Sequence, residues 1–297
     1  MVGMRTFKRI YIEITNVCNL NCGFCPKTSR EPEFMKIDLF RKIIDEITGY
    51  SEHLYFHVMG EPLLHPDIDT FLDLCGEKGF KVNLTTNGTL IERAKDMLLS
   101  KSALRSVNIS THIFDGSSDT DAIDRYLDGV FAFTAGTGEA HGPIVSLRLW
   151  NMEKPHAPGR KIQNASGNEH MLRKIENFFN VSRRIEDIPS EGRGVKLKDN
   201  VYLSLRSFFD WPDKGLPDIS EDGFCLGLRQ QAAILADGTV VPCCLDSEGT
   251  IALGNINVTG FKEIIEGKRA MALYDGFSER KAVEALCRKC GYRERFA

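Results

Sequence analysis

The sequence predicts an α/β chain of parallel strand–helix units followed by a small cysteine-bearing α+β domain. Three observations carry this. Short apolar runs alternate with stretches of helical periodicity through the first two-thirds of the chain. Within those runs one strand face is polar and the other apolar. Beyond residue 220, cysteines recur at short spacings around two apolar segments separated by Asp237-Gly238.

The strands are predicted at 10–15 (IYIEIT), 53–59 (HLYFHVM), 81–86 (KVNLTT), 106–110 (SVNIS), 144–150 (IVSLRLW) and 201–207 (VYLSLRS). Between the first two, Phe40, Ile43, Ile44 and Ile47 fall on one helical face. Ile68, Phe71, Leu72 and Cys75 do so after the second strand, and Met171, Ile175 and Phe178 before the last. The segment 183–200 is charged, contains Gly and Pro, and reads as a connector. The expected division is therefore 1–207, with 183–200 as connector, and 208–297. There is no internal repeat.

Taking every second residue gives Glu13 and Thr15; His57 and Met59; Asn83, Thr85 and Asn87; Asn108, Ser110 and His112; Ser146 and Arg148; Tyr202, Ser204 and Arg206. The intervening positions are mostly Ile, Leu, Val and Phe. Buried polar groups require partners, and a lumen holding a charged cofactor and substrate supplies them; the alternative is a solvated sheet face. In β/α barrels the active site lies at the C-terminal strand ends.

The chain of 297 residues has a formal net charge of only -3, which does not point to nucleic acid bound through charge. No apolar run approaches the roughly 20 residues that span a bilayer, and the N-terminus becomes a strand rather than a signal peptide. Nine cysteines clustered at short spacings favour metal binding over disulfides. A cytoplasmic protein, with no membrane partner, is expected.

The first cluster is Cys18-x3-Cys22-x2-Cys25, directly after the first strand. Three thiolates in one loop take three corners of an iron–sulfur cube but cannot complete it, and the next cysteine is Cys75. A catalytic metal site keeps an open position. These residues, with Phe24 before the third cysteine, resemble the signature of the radical S-adenosylmethionine (SAM) superfamily. The resemblance implies a partial (β/α)6 TIM-like barrel and a 4Fe-4S cluster whose open iron is chelated by SAM. It also implies reductive cleavage to a 5'-deoxyadenosyl radical that abstracts a substrate hydrogen. Zinc or disulfide chemistry is the alternative at these cysteines.

Met59-Gly60-Glu61-Pro62 is similar to the family's GGEP motif, with Met59 at the first glycine; there Gly60 and Glu61 would accept from the SAM ammonium. Ser110 is similar to a ribose-contacting hydroxyl, and Arg148 to the residue that pairs with the SAM carboxylate. Asn87, in TTNGT, resembles a third-strand motif. The plain alternatives are a strand-ending turn at 59–62, a satisfied hydroxyl, a structural ion pair and a turn at Asn87-Gly88.

The second cluster is Cys225, Cys243 and Cys287-x2-Cys290. AAILADGTVVPCC reads as a hairpin about Asp237-Gly238, and four thiolates close a second cluster with no open iron. The arrangement resembles the twitch domain, a shortened SPASM domain known from 2-deoxy-scyllo-inosamine dehydrogenase, and implies one auxiliary 4Fe-4S cluster. A zinc site is the alternative. Cys244 points the opposite way from Cys243 and reads as a spectator, and Cys75 as core.

With about ten residues before the first strand and no fused peptide-recognition domain, a small-molecule substrate is favoured, or a peptide delivered by a partner. The resemblance implies alcohol oxidation with the auxiliary cluster accepting an electron, and a flavodoxin- or ferredoxin-type donor. Candidate acid–base residues are Glu13, His57 and His112; the aromatic loop 207–218 adds Asp210 and Asp213. A peptide-modifying maturase and a non-enzymatic zinc- or cluster-binding module are the competing functions.

Overall fold

All six expected strands occur in the computed structural model, which describes residues 6–115, 117–138, 142–152, 165–188, 194–207 and 211–296. The strands are β1 (Arg9–Ile12), β2 (His53–Phe56), β3 (Lys81–Thr86), β4 (Leu104–Ser110), β5 (Ile144–Met152), β6 (Val195–Lys198), β7 (Val201–Ser207), β8 (Gln231–Ile234), β9 (Thr239–Val241) and β10 (Gly254–Asn255). The helices are α1 (Ile37–Ile47), α2 (Ile68–Glu77), α3 (Ile91–Ser100), α4 (Thr120–Gly136), α5 (Ala165–Phe179), α6 (Phe261–Glu266), α7 (Lys268–Ser278) and α8 (Ala285–Arg288). The chain forms two compact units, Met1–Val82 with Phe209–Ala297, and Asn83–Phe208.

In the first unit the strands run β10-β9-β8-β1-β2. β1 pairs in parallel with β2 on one side and with β8 on the other, Ile10 opposite Leu54 and Ala232. β8 and β9 form the expected antiparallel hairpin, Ala233 opposite Val241. β1 and β2 end at Ile12 and Phe56, earlier than expected, so Glu13, Thr15, His57 and Met59 lie just past their C-terminal ends. On α1 the predicted face Phe40, Ile43, Ile44 and Ile47 is buried, as is Ile68, Phe71, Leu72 and Cys75 on α2. The Phe40 and Phe71 rings stack at 4.0 Å, and each such buried side chain contributes about 1.5–3 kcal/mol.

Beside this core, His65 is buried: its Nε2 donates to the Met35 carbonyl at 3.0 Å, and its Nδ1 accepts the Asp67 N–H at 3.0 Å. Burial lowers its pKa below the ordinary 6.5. The unfolded chain therefore takes up a proton near pH 6.5 that the folded chain refuses. Stability present above pH 6.5 is lost as pH falls from there through the folded value. Thermal unfolding of His65→Gln is expected to show a smaller loss of Tm between pH 7.5 and 5.5 than the parent; an unchanged slope would refute the assignment.

In the second unit the order is β3-β4-β5-β7-β6. β4, β5 and β7 are parallel, with Ser110 opposite Arg148 and Arg148 opposite Ser204. The segment 183–200 is more than a connector: it holds a short 3-10 helix, Ile185–Asp187, and β6, antiparallel to β7. Its period-2 signal is only four residues, buried Val195 and Leu197 alternating with Lys196 and Lys198, and that charge hides it. Phe178 also departs from expectation. It is 44% exposed, lying flat on Phe131 at 4.0 Å, while Met171, Leu172 and Ile175 form the buried face of α5.

Part of the polar strand face is buried, and Arg206 at its far end is exposed. Asn83, Asn108 and His112 are each under one-tenth exposed. Ser106 Oγ donates to Asn83 Oδ1 at 2.7 Å, and Asn108 Nδ2 to the Leu84 carbonyl at 3.2 Å. Among the described residues no helix is long and apolar enough to cross a membrane.

Candidate cofactor sites

The loop carrying Cys18, Cys22 and Cys25 leaves the end of β1 and returns beside it. Thr15 pairs with Phe34 in an antiparallel bridge. Thr15 Oγ1 donates to the Glu33 carbonyl at 2.8 Å, and Asn16 accepts the Glu33 N–H at 2.7 Å while donating to the Glu31 carbonyl at 2.8 Å. The neck is thereby closed, and the cysteines sit on the projecting part: Cys18 exposed, Cys22 and Cys25 half-buried. Lys27 holds the turn by donating to Asn21 and to the Cys22 carbonyl.

Two carboxylates grip the return limb. Glu13 is 1% exposed, and both its oxygens accept from Arg30 Nη2 at 2.7 Å. Oε2 also accepts the Met59 N–H and Oε1 the Ala236 N–H, each at 3.2 Å. One side chain thus ties the cysteine loop to the segment after β2 and to the end of β8. Burial pushes the Glu13 carboxyl upward, and Arg30 with the two N–H groups pulls against it. Glu248 is the second: its Oε2 accepts the Ser29 N–H at 3.0 Å and the Ser29 hydroxyl at 2.7 Å. Burial opposes its ionisation, but hydrogen bonds from Thr28 and Ser29 and the charge of Arg30 hold its carboxyl below the ordinary range.

Gly60 adopts φ +74°, and a Cβ there would lie 2.4 Å from the Thr15 carbonyl and 2.8 Å from that of Val17. The Glu61 N–H donates to the Val17 carbonyl at 2.8 Å. The strand-two turn is therefore pressed onto the residues immediately before Cys18, closer than any side chain permits. Glu61 is 1% exposed and accepts the Leu63 N–H at 3.0 Å, capping the 3-10 helix Pro62–Leu64. Gly60→Ala is expected to lower Tm while Arg30 and Glu13 stay paired, because the Cβ must push the Thr15 and Val17 carbonyls away. Thermal unfolding measures it, and an unchanged Tm would show that the contact gives way.

Phe24 is half-buried within the same loop. The His57 ring meets Tyr11 edge-on at 5.6 Å. In the second unit Ser110, which ends β4, is the register partner of Arg148 in the middle of β5. The Tyr126 hydroxyl, from α4, lies 3.1 Å from the Asn87 carbonyl and 3.3 Å from that of Ser110, joining the C-terminal ends of β3 and β4. Arg148 lies over the Trp150 ring at 4.6 Å. Its carbonyl accepts from Thr111 Oγ1 and from His112 Nδ1, both at 2.9 Å. Burial lowers the His112 pKa, so the ring is neutral at pH 7 with its lone pair on Nε2. Asp213 accepts the Gly215 N–H within its own turn, and Asp210 lies outside the described residues.

Cys225, Cys243, Cys287 and Cys290 line one cavity, walled by Pro212, Leu245, Ile251 and Leu286. Burial pushes the Cys243 thiol well up, and the other cysteines, Cys244 first, add to the shift. In the N-terminal loop burial and then Cys22 and Cys18 push the Cys25 thiol up to about 11. Thiols so crowded do not ionise together unless a metal centre binds the thiolates. Among the described residues no three or more His, Cys, Asp or Glu side chains are close enough to grip a single metal ion. The donor chemistry fits a 4Fe-4S cube, which takes one thiolate per iron: three cysteines share one projecting turn and four line one cavity. Cys244 is turned from the cavity toward Tyr11, Val58 and Leu235.

Arg30, Glu248 and Tyr126 were not legible in the sequence: each acts on a partner fixed only by the fold, and Glu248 reaches back 219 positions to Ser29.

The Radical SAM superfamily pattern matches residues 12–129, and that of the SPASM iron–sulfur cluster-binding domain matches residues 225–291. The chain is 34% identical over 266 residues to the tungsten-containing aldehyde ferredoxin oxidoreductase cofactor-modifying protein of Pyrococcus furiosus, covering 80% of this chain and 70% of that protein. Among solved structures, BtrN in complex with AdoMet and 2-DOIA is similar at TM-score 0.55 and 18% identity, covering 97% of this chain and 94% of that one. Streptococcus suis SuiB bound to precursor peptide SuiA is similar at TM-score 0.58 and 15% identity, covering 97% and 70%. These likenesses show the fold, a mixed α/β partial barrel with a parallel sheet core.

Proposed function

The chain belongs to the radical SAM superfamily, and on that premise we propose that it dehydrogenates a small-molecule substrate. Its cofactors are SAM, a SAM-binding 4Fe-4S cluster and an auxiliary iron–sulfur cluster in the SPASM domain. When bound, the first cluster with SAM supplies a 5'-deoxyadenosyl radical that removes a substrate hydrogen, and the second supplies an acceptor for the electron left behind. The observation that carries this reading is the closed ligand set. Four cysteines around one cavity provide a thiolate for every iron of a 4Fe-4S cube, so substrate has no iron to bind there. Such a cluster serves electron transfer, which an oxidation needs and a redox-neutral rearrangement does not.

The residue roles follow the same proposal. Cys18, Cys22 and Cys25 hold the first cluster, with Phe24 covering it. Cys225, Cys243, Cys287 and Cys290 hold the second, in a domain beginning at 208. The Gly60 carbonyl and Glu61 accept from the SAM ammonium, Ser110 and Asn87 from its ribose side, and Arg148 pairs with its carboxylate. Nε2 of His112 takes the substrate proton, with His57 as the alternative. Glu13, engaged by Arg30 and two backbone N–H groups, serves as a positioning residue rather than a base. A flavodoxin- or ferredoxin-type donor in the reducing cytoplasm supplies the electron for SAM cleavage. Similarity to SuiB supports a second reading, oxidation of a peptide substrate.

Anaerobic turnover with deuterated candidates tests both. One deuterium in 5'-deoxyadenosine and a product lighter by two hydrogens supports dehydrogenation. A product of unchanged mass overturns it, and label transfer from peptides alone favours the second reading.

A further inference from the structure

The cavity lined by the four C-terminal cysteines contains a charge that the reading above does not use. Arg293, in the 3-10 helix Gly291–Phe296, lines it and is 6% exposed. Its Nη1 donates to the Asp222 carbonyl at 3.0 Å and its Nη2 to the Ser220 carbonyl at 2.6 Å. Nε is buried and has no acceptor. Both partners are neutral carbonyls, and among the described residues no carboxylate pairs with this cation. An uncompensated buried charge is strongly destabilising, which makes an anionic partner within the cavity the expected complement.

The cradle is built for the guanidinium. Gly223 has φ +141°, and a Cβ there would lie 2.5 Å from Nη1. The other charged wall residue, Asp246, accepts the Thr250 and Ile251 N–H groups at 2.8 and 2.7 Å, which disperses its charge along the backbone. Among the residues that line the cavity, Arg293 is thus the cation facing Cys225, Cys287 and Cys290.

We propose that Arg293 is the built-in counter-cation of the C-terminal cluster, directing Nε–H at its sulfur and raising its reduction potential. Net charge and hydrogen bonds to sulfur are two of the terms that set such potentials, and a fixed positive charge favours the more negative, reduced form. The proposal rests on the ligand assignment of the four cysteines and deepens the acceptor role proposed above. Its readout needs no substrate, so it fails or stands apart from the dehydrogenation reading.

The test is an EPR-monitored redox titration of the reconstituted full chain, following the cluster signal that survives Cys22→Ala. Arg293→Met is expected to lower its midpoint by at least a tenfold change in the reduction equilibrium, 59 mV for one electron. Arg293→Lys, which keeps the charge, is expected to retain most of the parent value. An unchanged midpoint in an Arg293→Met chain with its full iron overturns the proposal, as does a fall in Arg293→Lys equal to that in Arg293→Met. If Arg293→Met does not hold iron, Arg293→Gln is read by the same criteria. Loss of iron from both neutral variants with retention by Arg293→Lys supports the counter-cation. Loss from all three assigns Arg293 to holding the 220–222 backbone and overturns it.

Discussion

Cys22→Ala is expected to halve the iron of the reconstituted protein, from about eight to about four per chain, and to reduce SAM cleavage to background. The physical reason lies in the loop. The thiols of Cys18, Cys22 and Cys25 share one projecting turn, and the Cys22 carbonyl also accepts the Lys27 ammonium at 3.0 Å. Losing one of three thiolates leaves a cube with two protein ligands, whereas the four C-terminal thiolates are untouched. Iron assay and chromatography of 5'-deoxyadenosine check both halves of the prediction. Continued cleavage with full iron would sink the assignment of this loop.

Glu13→Ala carries the second large effect. It leaves the Arg30 guanidinium, 17% exposed, without its carboxylate and strips the Met59 and Ala236 N–H groups of their acceptor. Removing one partner of a buried pair costs about 3–5 kcal/mol, and at this chain size that is a drop in Tm of roughly 5–8 °C. The cysteine loop should also loosen, so the N-terminal cluster is lost before the C-terminal one as oxygen is admitted. Glu13→Gln, which keeps an acceptor of the same shape, should fall between parent and alanine. Thermal unfolding with parallel iron assays decides it; a Tm within about 2 °C of the parent in Glu13→Ala would show that Arg30 finds solvent instead.

What could be read in advance follows from range along the chain. The helical faces of α1 and α2 and the Asp237-Gly238 hairpin rest on spacing within a few dozen residues, and all are present in the fold. Parity along the strands correctly separated polar from apolar faces, even where β1 and β2 stop short of Glu13 and His57. The strand β6 escaped because four residues between charged neighbours make a weak pattern, and Phe178 because helical periodicity does not tell a covering ring from a covered one. Glu13 shows the limit most clearly. Its type and position suggested an acid–base group, and only the placement of Arg30, Met59 and Ala236 around it reveals an anchor.

The parallel seat of β8 against β1 has a consequence for biosynthesis. As the polypeptide emerges from the ribosome, β1 is made well before residues 231–234, which must cover one of its flanks. For more than 200 residues of translation that flank is an open template for strand addition from other nascent chains. Truncations made ahead of β8 should therefore collect in inclusion bodies.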